Sequence, residues 1–113
     1  MAPEAIPALL EQIDELLAEP VQTDEPATLD RVERTLTDGY AYALALEAER
    51  YRLERRMSEL AGELNDGDQE LKTKELAQVS DRLSSNASLL TALRETLTQL
   101  RARSSALRSN APV

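Results

Sequence analysis

The sequence predicts an all-α protein: a long antiparallel helical hairpin of the coiled-coil type, with a short N-terminal helix packed on its open end, similar to a three-helix bundle. Three observations support this prediction. Leu and Ala supply 20 and 16 of the 113 residues, whereas Val and Ile together supply six, a composition typical of long helices rather than of sheets. Leucines recur at heptad spacing in two long segments. The sequence Asn-Asp-Gly-Asp at 65–68 separates these segments and is typical of a tight turn.

The first helix is predicted over residues 4–19. Its apolar residues share one face and its acidic residues the opposite face; the apolar residues are Ile6, Leu9, Leu10, Ile13, Leu16 and Leu17. Residues 20–26 begin and end with proline, which indicates a short linker. The linker should fold this helix back beside residues 28–44, next to the arginine-rich end of the third helix. The helix is then either a permanent part of the core or a segment that a partner displaces.

The second helix is predicted over residues 27–64 and the third over residues 69–108, with 65–68 as the turn and 109–113 as a frayed tail. Most a and d positions of both heptad repeats are apolar. We therefore expect residues 1–113 to form a single helical domain.

Asp38-Gly39 is a turn signal inside the second helix. The heptad phase nevertheless continues unchanged from Leu36 to Ala43, which favours a continuous helix. A close approach by another helix would explain a glycine at this position.

The turn at 65–68 also predicts which residues face each other across the hairpin. The numbers of facing residues should sum to about 133, and equivalent flanking positions of the two heptads should meet. Three oppositely charged pairs result: Glu33 with Arg101, Glu49 with Arg82, and Arg56 with Glu75.

Two polar residues, Arg50 and Asn86, occupy heptad positions in the seam between the long helices. Single polar residues in a seam fix the alignment of the helices at some cost in stability. The two lie about one turn apart across the hairpin, close enough to touch. We interpret them as register residues, with a recognition site halfway along the hairpin as the alternative.

A stripe formed by Tyr40, Leu44 and Tyr51 extends outside the seam. Tyr40 and Leu44 are expected to be core beneath the first helix, with a partner-binding face as the alternative. Tyr51 lies farther along the hairpin and is the better surface candidate. Pairing of two hairpins into a four-helix arrangement would bury Leu44, Tyr51 and Leu89, which predicts a homodimer.

Charge and composition exclude several classes of function. The net charge is −8, and the whole excess lies in residues 1–30, so no basic stripe is available for nucleic acid. No apolar run is long enough to cross a membrane, and we expect a cytoplasmic protein. Without Cys or His, thiol and imidazole chemistry is excluded. Asp66 and Asp68 are interpreted as turn and cap residues. We expect no enzyme, no cofactor, no metal site and no small-molecule ligand.

The function that these features favour is a non-catalytic helical protein–protein interaction or scaffold module. The chain is also similar to the long helical hairpins of the flagellar export chaperone families in length, acidity and hairpin layout. That resemblance covers most of the chain in shape and composition, and it implies binding of an amphipathic helix of a client protein. A third hypothesis is a regulator that inserts its coiled-coil tip, with the acidic residues Asp66 and Asp68, into a larger enzyme.

Overall fold

The computed structural model describes residues 5–18 and 26–109, which form three helices: α1 (Ala5–Ala18), α2 (Pro26–Glu63) and α3 (Gln69–Ser109). α2 and α3 pack against each other as a hairpin, and α1 lies on its open end, so the predicted all-α fold is confirmed. The helix bounds lie within one residue of those expected. The linker at 20–25, the first and last residues expected for α1, and the tail at 110–113 lie outside the described residues.

The turn between α2 and α3 depends on one glycine and one cap. Gly67 has φ of 75°, in the left-handed region that glycine tolerates best. The Asp68 carboxylate accepts hydrogen bonds from the backbone N–H groups of Glu70 and Leu71 at 3.1 and 3.3 Å. Asp68 is thus the N-cap of α3, because it satisfies N–H groups that have no partner within the helix.

The backbone carbonyls at the end of α2 receive their hydrogen bonds from a side chain on the other side of the turn. The Lys72 ammonium donates to the backbone carbonyl of Glu63 at 2.9 Å and also to that of Asp66. A cation at the last carbonyls of a helix is favourable there. Together with the two hydrogen bonds that the Asp68 carboxylate accepts at the start of α3, these contacts confirm the turn-and-cap role expected of Asp68.

The buried apolar residues form two separate clusters. The base cluster contains residues of all three helices at the open end of the hairpin, and α1 contributes Ile6, Leu9, Ile13 and Leu16 to it. The arm cluster is smaller and is formed by Leu53, Leu60 and Val79 of α2 and α3. Since α1 reaches only the base cluster, the part of the hairpin nearest the turn is a two-helix arm. The described helices together measure 68 × 20 × 18 Å.

α2 passes through Gly39 without a break, as the heptad phase predicts. Gly39 is buried against Leu97 of α3. A methyl group placed on Gly39 would overlap Leu97 Cδ2 and lie 3.3 Å from Leu97 Cγ. The glycine therefore permits a close approach of α2 and α3 that no larger residue allows without rearrangement.

The predicted pair nearest the turn is present. Arg56 donates to Glu75 across the hairpin, with an N···O distance of 2.8 Å. The pKa of Arg56 is raised above the ordinary arginine value by its hydrogen bond to Glu75 and then by that to Glu59. The register expected from the turn is thus correct in the arm.

Toward the base, the charged side chains pair differently from the prediction. Glu33 pairs with Arg108 instead of Arg101, and Arg94 pairs with Glu47. Arg108 lies one heptad beyond Arg101, and Glu47 lies one heptad beyond Tyr40, the residue that the sum of about 133 places opposite Arg94. A long arginine side chain reaches either of two positions across the seam. Glu49 and Arg82 form no ion pair with each other within the described residues, although both line one cavity.

The expected burial of Tyr40 and Leu44 beneath α1 is wrong. Tyr40 is 43% exposed and Leu44 is 67% exposed. α1 lies instead on the other edge of the hairpin, where Tyr42 and Leu89 are half-buried against the base cluster. The physical reason is the composition of α3: the edge beside Tyr40 carries arginines, and covering them with an apolar helix would cost desolvation energy.

α1 packs against α3 as expected, but within the described residues its acidic side chains form no ion pair with the arginines of α3. Arg94 and Arg108 both pair with glutamates of α2. The four buried apolar residues of α1 are therefore the main described contribution to its docking.

Candidate functional site

Among the described residues, the most prominent exposed apolar surface lies on the face of the hairpin opposite α1. Tyr40 and Leu44 project from α2 there, and Tyr51, which is 65% exposed, continues the stripe toward the arm. These three residues share one face because they are separated by one and two helical turns. Leu89, in contrast, is half-buried on the α1 side, so the structure does not bring it together with the other three.

A groove between α2 and α3 lies beside this stripe. We call it the α2–α3 groove. It has a volume of about 550 Å³ and is lined by Tyr40, Ala43, Leu44, Glu47, Arg94, Leu97, Thr98 and Arg101. It continues toward the open end of the hairpin into a more polar depression that shares Tyr40 and Arg101 with it. The floor is firm because Ala43 and Leu97 are part of the base cluster.

The electrostatics of the groove centre on Arg101. Arg94 and Arg108, which flank it along α3, are each paired with a glutamate of α2. Arg101 forms no hydrogen bond or ion pair with any residue in the described ranges and its side chain is exposed. The positive charge of Arg101 is therefore not neutralised. Tyr40 and Leu44 lie beside it in the groove, and the Arg94–Glu47 and Arg108–Glu33 ion pairs lie before and after it along α3. This arrangement suits an apolar ligand that carries a carboxylate.

The prediction from sequence missed the role of Arg101, because it assigned this residue to Glu33. A signal was nevertheless present. Arg94, Arg101 and Arg108 recur at seven-residue spacing, which places all three on one edge of α3, whereas α2 offers Glu33 and Glu47 on the facing edge with Tyr40 between them.

The two polar seam residues occupy different environments. Asn86 is 2% exposed, and its side-chain amide donates to the backbone carbonyl of Leu46 at 3.0 Å. Arg50 is exposed and pairs with Glu54 on its own helix at 2.9 Å. The expected contact between Arg50 and Asn86 is replaced by these two interactions, because the long arginine side chain reaches solvent instead of entering the seam.

A second concavity surrounds Asn86. We call it the Asn86 cavity. It has a volume of about 270 Å³ and receives walls from all three helices, with Ile6 from α1, Tyr42 and Leu46 from α2, and Leu89 from α3. The Oδ1 atom of Asn86 is buried and has no hydrogen-bond partner. The cavity lies where α1 begins, at the junction between the three-helix base and the two-helix arm.

The described residues contain neither a cluster of metal ligands nor a membrane-spanning helix. No group of acidic residues in the described ranges is arranged to hold a metal ion. None of the helices, as far as the chain is described, combines the length and the apolar composition needed to cross a bilayer.

Comparison with family models, with curated proteins and with solved structures finds no match for this chain. The surfaces of the molecule itself, above all the α2–α3 groove, are therefore the basis for inferring its function.

Proposed function

We propose that this protein is a non-catalytic interaction module that binds an amphipathic helix of a partner protein in the α2–α3 groove. The observation that supports this proposal is the combination of exposed Tyr40 and Leu44 with unpaired Arg101 on the face that α1 leaves open. A helix laid in a groove is a recurrent mode of peptide recognition, with apolar anchors spaced by three, four and seven residues.

The dimensions of the surface suit a short helix. The stripe from Tyr40 to Tyr51 spans about 16 Å along α2, or three helical turns. Leu44 is 67% exposed, and complete burial of a leucine contributes about 1.5–3 kcal/mol. The partner helix should therefore present an apolar face to Tyr40 and Leu44, with Tyr51 as a further contact.

Arg101 specifies the charge of the partner. A carboxylate from the incoming helix would pair with it in a partly desolvated position, and charge complementarity of this kind improves specificity and the association rate more than affinity. We therefore expect an acidic amphipathic helix. A flagellar-type export chaperone would use the same groove for a helix of its client, so this alternative differs only in the identity of the partner.

The finger-type regulator would instead use the tip of the arm. Leu71, which is 64% exposed beside the turn, favours this alternative. Against it, the Asp68 carboxylate already caps α3, and Lys72 lies against the carbonyls at the end of α2. The acidic tip is thus partly neutralised.

Site-specific photo-crosslinking distinguishes these alternatives. A photoreactive amino acid is placed at Leu44 in one variant and at Leu71 in another, and each is irradiated in lysate of the source organism. The proposal expects crosslinks from Leu44 to an acidic amphipathic helix of another protein, with the crosslinked segment located by mass spectrometry. Crosslinks confined to Leu71 would instead support the finger-type regulator and overturn the groove proposal.

Two substitutions and a matched control test the chemistry of the same complex. Leu44→Asp and Arg101→Glu should each weaken binding of the identified partner at least tenfold, because one removes an apolar anchor and the other reverses the central charge. Leu71→Asp makes the same chemical change as Leu44→Asp at an equally exposed leucine and should leave binding unchanged. Equal effects of Leu44→Asp and Leu71→Asp would show that the groove has no special role.

A second copy of the chain is the remaining candidate for the groove, in line with the homodimer expected from sequence. Sedimentation equilibrium gives the answer directly. A dimer that dissociates in Leu44→Asp but persists in Leu71→Asp would make the groove a self-association surface. A single species of 12.5 kDa across micromolar concentrations would reject the homodimer.

A further inference from the structure

We propose that the partner helix lies in the α2–α3 groove in one direction, with its C-terminal end over the polar depression at the open end of the hairpin. The polar depression lies between residues 33–40 of α2 and 101–108 of α3. This inference rests on the function proposed above, and it adds the direction of the partner helix and the position of its acidic residue.

The end of the groove nearest the arm has its polar side chains already paired. Glu47 forms an ion pair with Arg94, and the Thr98 hydroxyl donates to the backbone carbonyl of Arg94 at 2.9 Å. Leu44 and Leu97 supply apolar surface beside them. This end therefore offers apolar contact and little free hydrogen-bonding capacity.

The polar depression, in contrast, holds hydrogen-bond donors that have no partner. The Arg101 guanidinium and the hydroxyls of Ser104 and Ser105 form no hydrogen bond within the described residues. These three residues share one face of α3 because they are three and four positions apart. The Thr37 hydroxyl, on the α2 side, is already used, since it donates to the backbone carbonyl of Glu33 at 3.0 Å.

The charges of the two ends differ in the same sense. Glu33 is the acidic residue that lines the polar depression, and its carboxylate pairs with Arg108. Arg101 then leaves one positive charge in excess there, whereas Glu47 and Arg94 neutralise each other nearer the arm. The open end of the groove is therefore the more positive end.

The two ends of an α-helix are not equivalent, and the C-terminal end fits the polar depression. The last four backbone carbonyls of a helix have no partner within it, and the C-terminal end carries the negative pole of the helix dipole. Arg101 and Ser105 would donate to such carbonyls. A helix in the opposite direction would place unpaired N–H groups and the positive pole beside Arg101.

The same argument locates the acidic residue of the partner. A carboxylate that pairs with Arg101 would lie in or near the last turn of the partner helix. An acidic residue in that position destabilises an isolated helix, and Arg101 compensates for it in the complex. We therefore expect a partner helix that runs parallel to α3, with apolar residues along its length and an aspartate or glutamate near its C-terminal end.

A spin-labelled peptide tests the direction. The probe is a synthetic amphipathic helix of about 14 residues, or about 21 Å, with leucines three and four positions apart and an aspartate in its last turn. It carries a nitroxide on a cysteine at its N-terminal end in one version and at its C-terminal end in another. The protein has no Cys, so the label is confined to the peptide. Each version is added to the ¹⁵N-labelled full chain.

We expect the C-terminal nitroxide to broaden the amide signals around Ser105, and the N-terminal nitroxide to broaden those around Glu47. A second peptide with the aspartate in its first turn should bind about two- to fivefold more weakly, the ratio that the dipole term at a helix end contributes. Arg101→Gln should remove this difference. Arg52→Gln makes the same chemical change at an exposed arginine outside the groove and the depression, and it should leave the difference intact.

The labels in the unaltered protein decide the proposal even if a variant fails to fold. Broadening in the reverse order, or equal broadening at both ends by either label, would overturn the direction and leave binding in the groove intact. If neither label broadens any signal of the groove at millimolar peptide, the proposed function fails together with the direction.

Discussion

Replacement of Gly39 with alanine tests the close approach of α2 and α3. At an unobstructed helical site, glycine to alanine raises the free energy of unfolding by about 0.5–1 kcal/mol, because alanine favours the helix and restricts the unfolded chain. At Gly39, however, the new methyl group meets the side chain of Leu97. Leu97 is only 2% exposed, so it has little free volume into which to move.

The expected change follows from these two opposing terms. Overpacking of a well-packed core costs about 1–3 kcal/mol, against a helix-forming gain of about 0.5–1 kcal/mol. Gly39→Ala should therefore lower the free energy of unfolding by about 1 kcal/mol, which corresponds to a fall in Tm of about 4 °C for a domain of this length.

Gly62 provides the matched control in the same helix. A methyl group there would have no neighbour within 4 Å. Gly62→Ala should raise stability by about 0.5 kcal/mol, at the lower end of the range because Gly62 lies in the last turn of α2. The assay is urea unfolding followed by circular dichroism at 222 nm, with every variant at the same protein concentration.

If Gly39→Ala stabilises the protein as much as Gly62→Ala does, the close contact with Leu97 is absent and the reasoning is refuted. A double-mutant cycle adds a second check. Leu97→Ala alone should cost about 2–5 kcal/mol. In that background the added methyl of Gly39→Ala enters vacated space and should no longer be destabilising, which appears as a favourable coupling energy.

Three further predictions concern the cap, the seam and α1. Asp68→Ala should lower the free energy of unfolding by about 1 kcal/mol in urea denaturation, since two N–H groups lose their acceptor; an unchanged midpoint would argue against this cap. Asn86→Leu should leave the protein equally stable or up to about 2 kcal/mol more stable in the same urea denaturation, because it removes a buried acceptor that has no partner; a loss above about 1 kcal/mol would contradict that account. Deletion of residues 1–22 should lower Tm by more than about 10 °C or cause aggregation, since it uncovers the surface against which four buried apolar side chains of α1 pack. The measurement is a thermal melt, and a truncated chain with the Tm of the full chain would refute a structural role for α1.

The continuous course of α2 could be predicted because the signal is local and periodic. The heptad phase on either side of Gly39 is intact, and an inserted turn would have shifted it. The N-cap at Asp68 is predictable for a similar reason, because the capping residue and the N–H groups that it satisfies lie within three residues of each other.

The side of the hairpin on which α1 packs could not be derived in the same way. A heptad repeat defines the seam between two helices and leaves two edges, each with apolar residues: Tyr40 and Leu44 on one, Tyr42 and Leu89 on the other. The choice depends on what the distant end of α3 presents at each edge. The seven-residue spacing already places Arg94 and Arg101 on the edge that faces Tyr40, but the lack of a partner for Arg101, and so the cost of covering this edge, appears only in the three-dimensional arrangement.

Asn86 illustrates a second limit. Its place in the seam follows from the heptad pattern, but its hydrogen-bond partner is the backbone carbonyl of Leu46. Since every residue has a backbone carbonyl, the sequence does not indicate which one accepts the bond. The position of Arg50 is also formally in the seam. Its length and charge allow it to turn outward to Glu54, which a count of heptad positions does not anticipate.

The division of the interior into a base cluster and an arm cluster has a consequence for the energetics of recognition. The α2–α3 groove is backed by the larger cluster, which joins all three helices, so its floor is already ordered before any partner arrives. The tip of the arm rests on only three buried apolar residues. A partner that docks in the groove meets a preorganised surface, so little of its binding free energy is lost in ordering the protein. A partner that binds the tip must first order a segment with fewer buried contacts. We therefore expect a lower affinity at the tip for the same contact area.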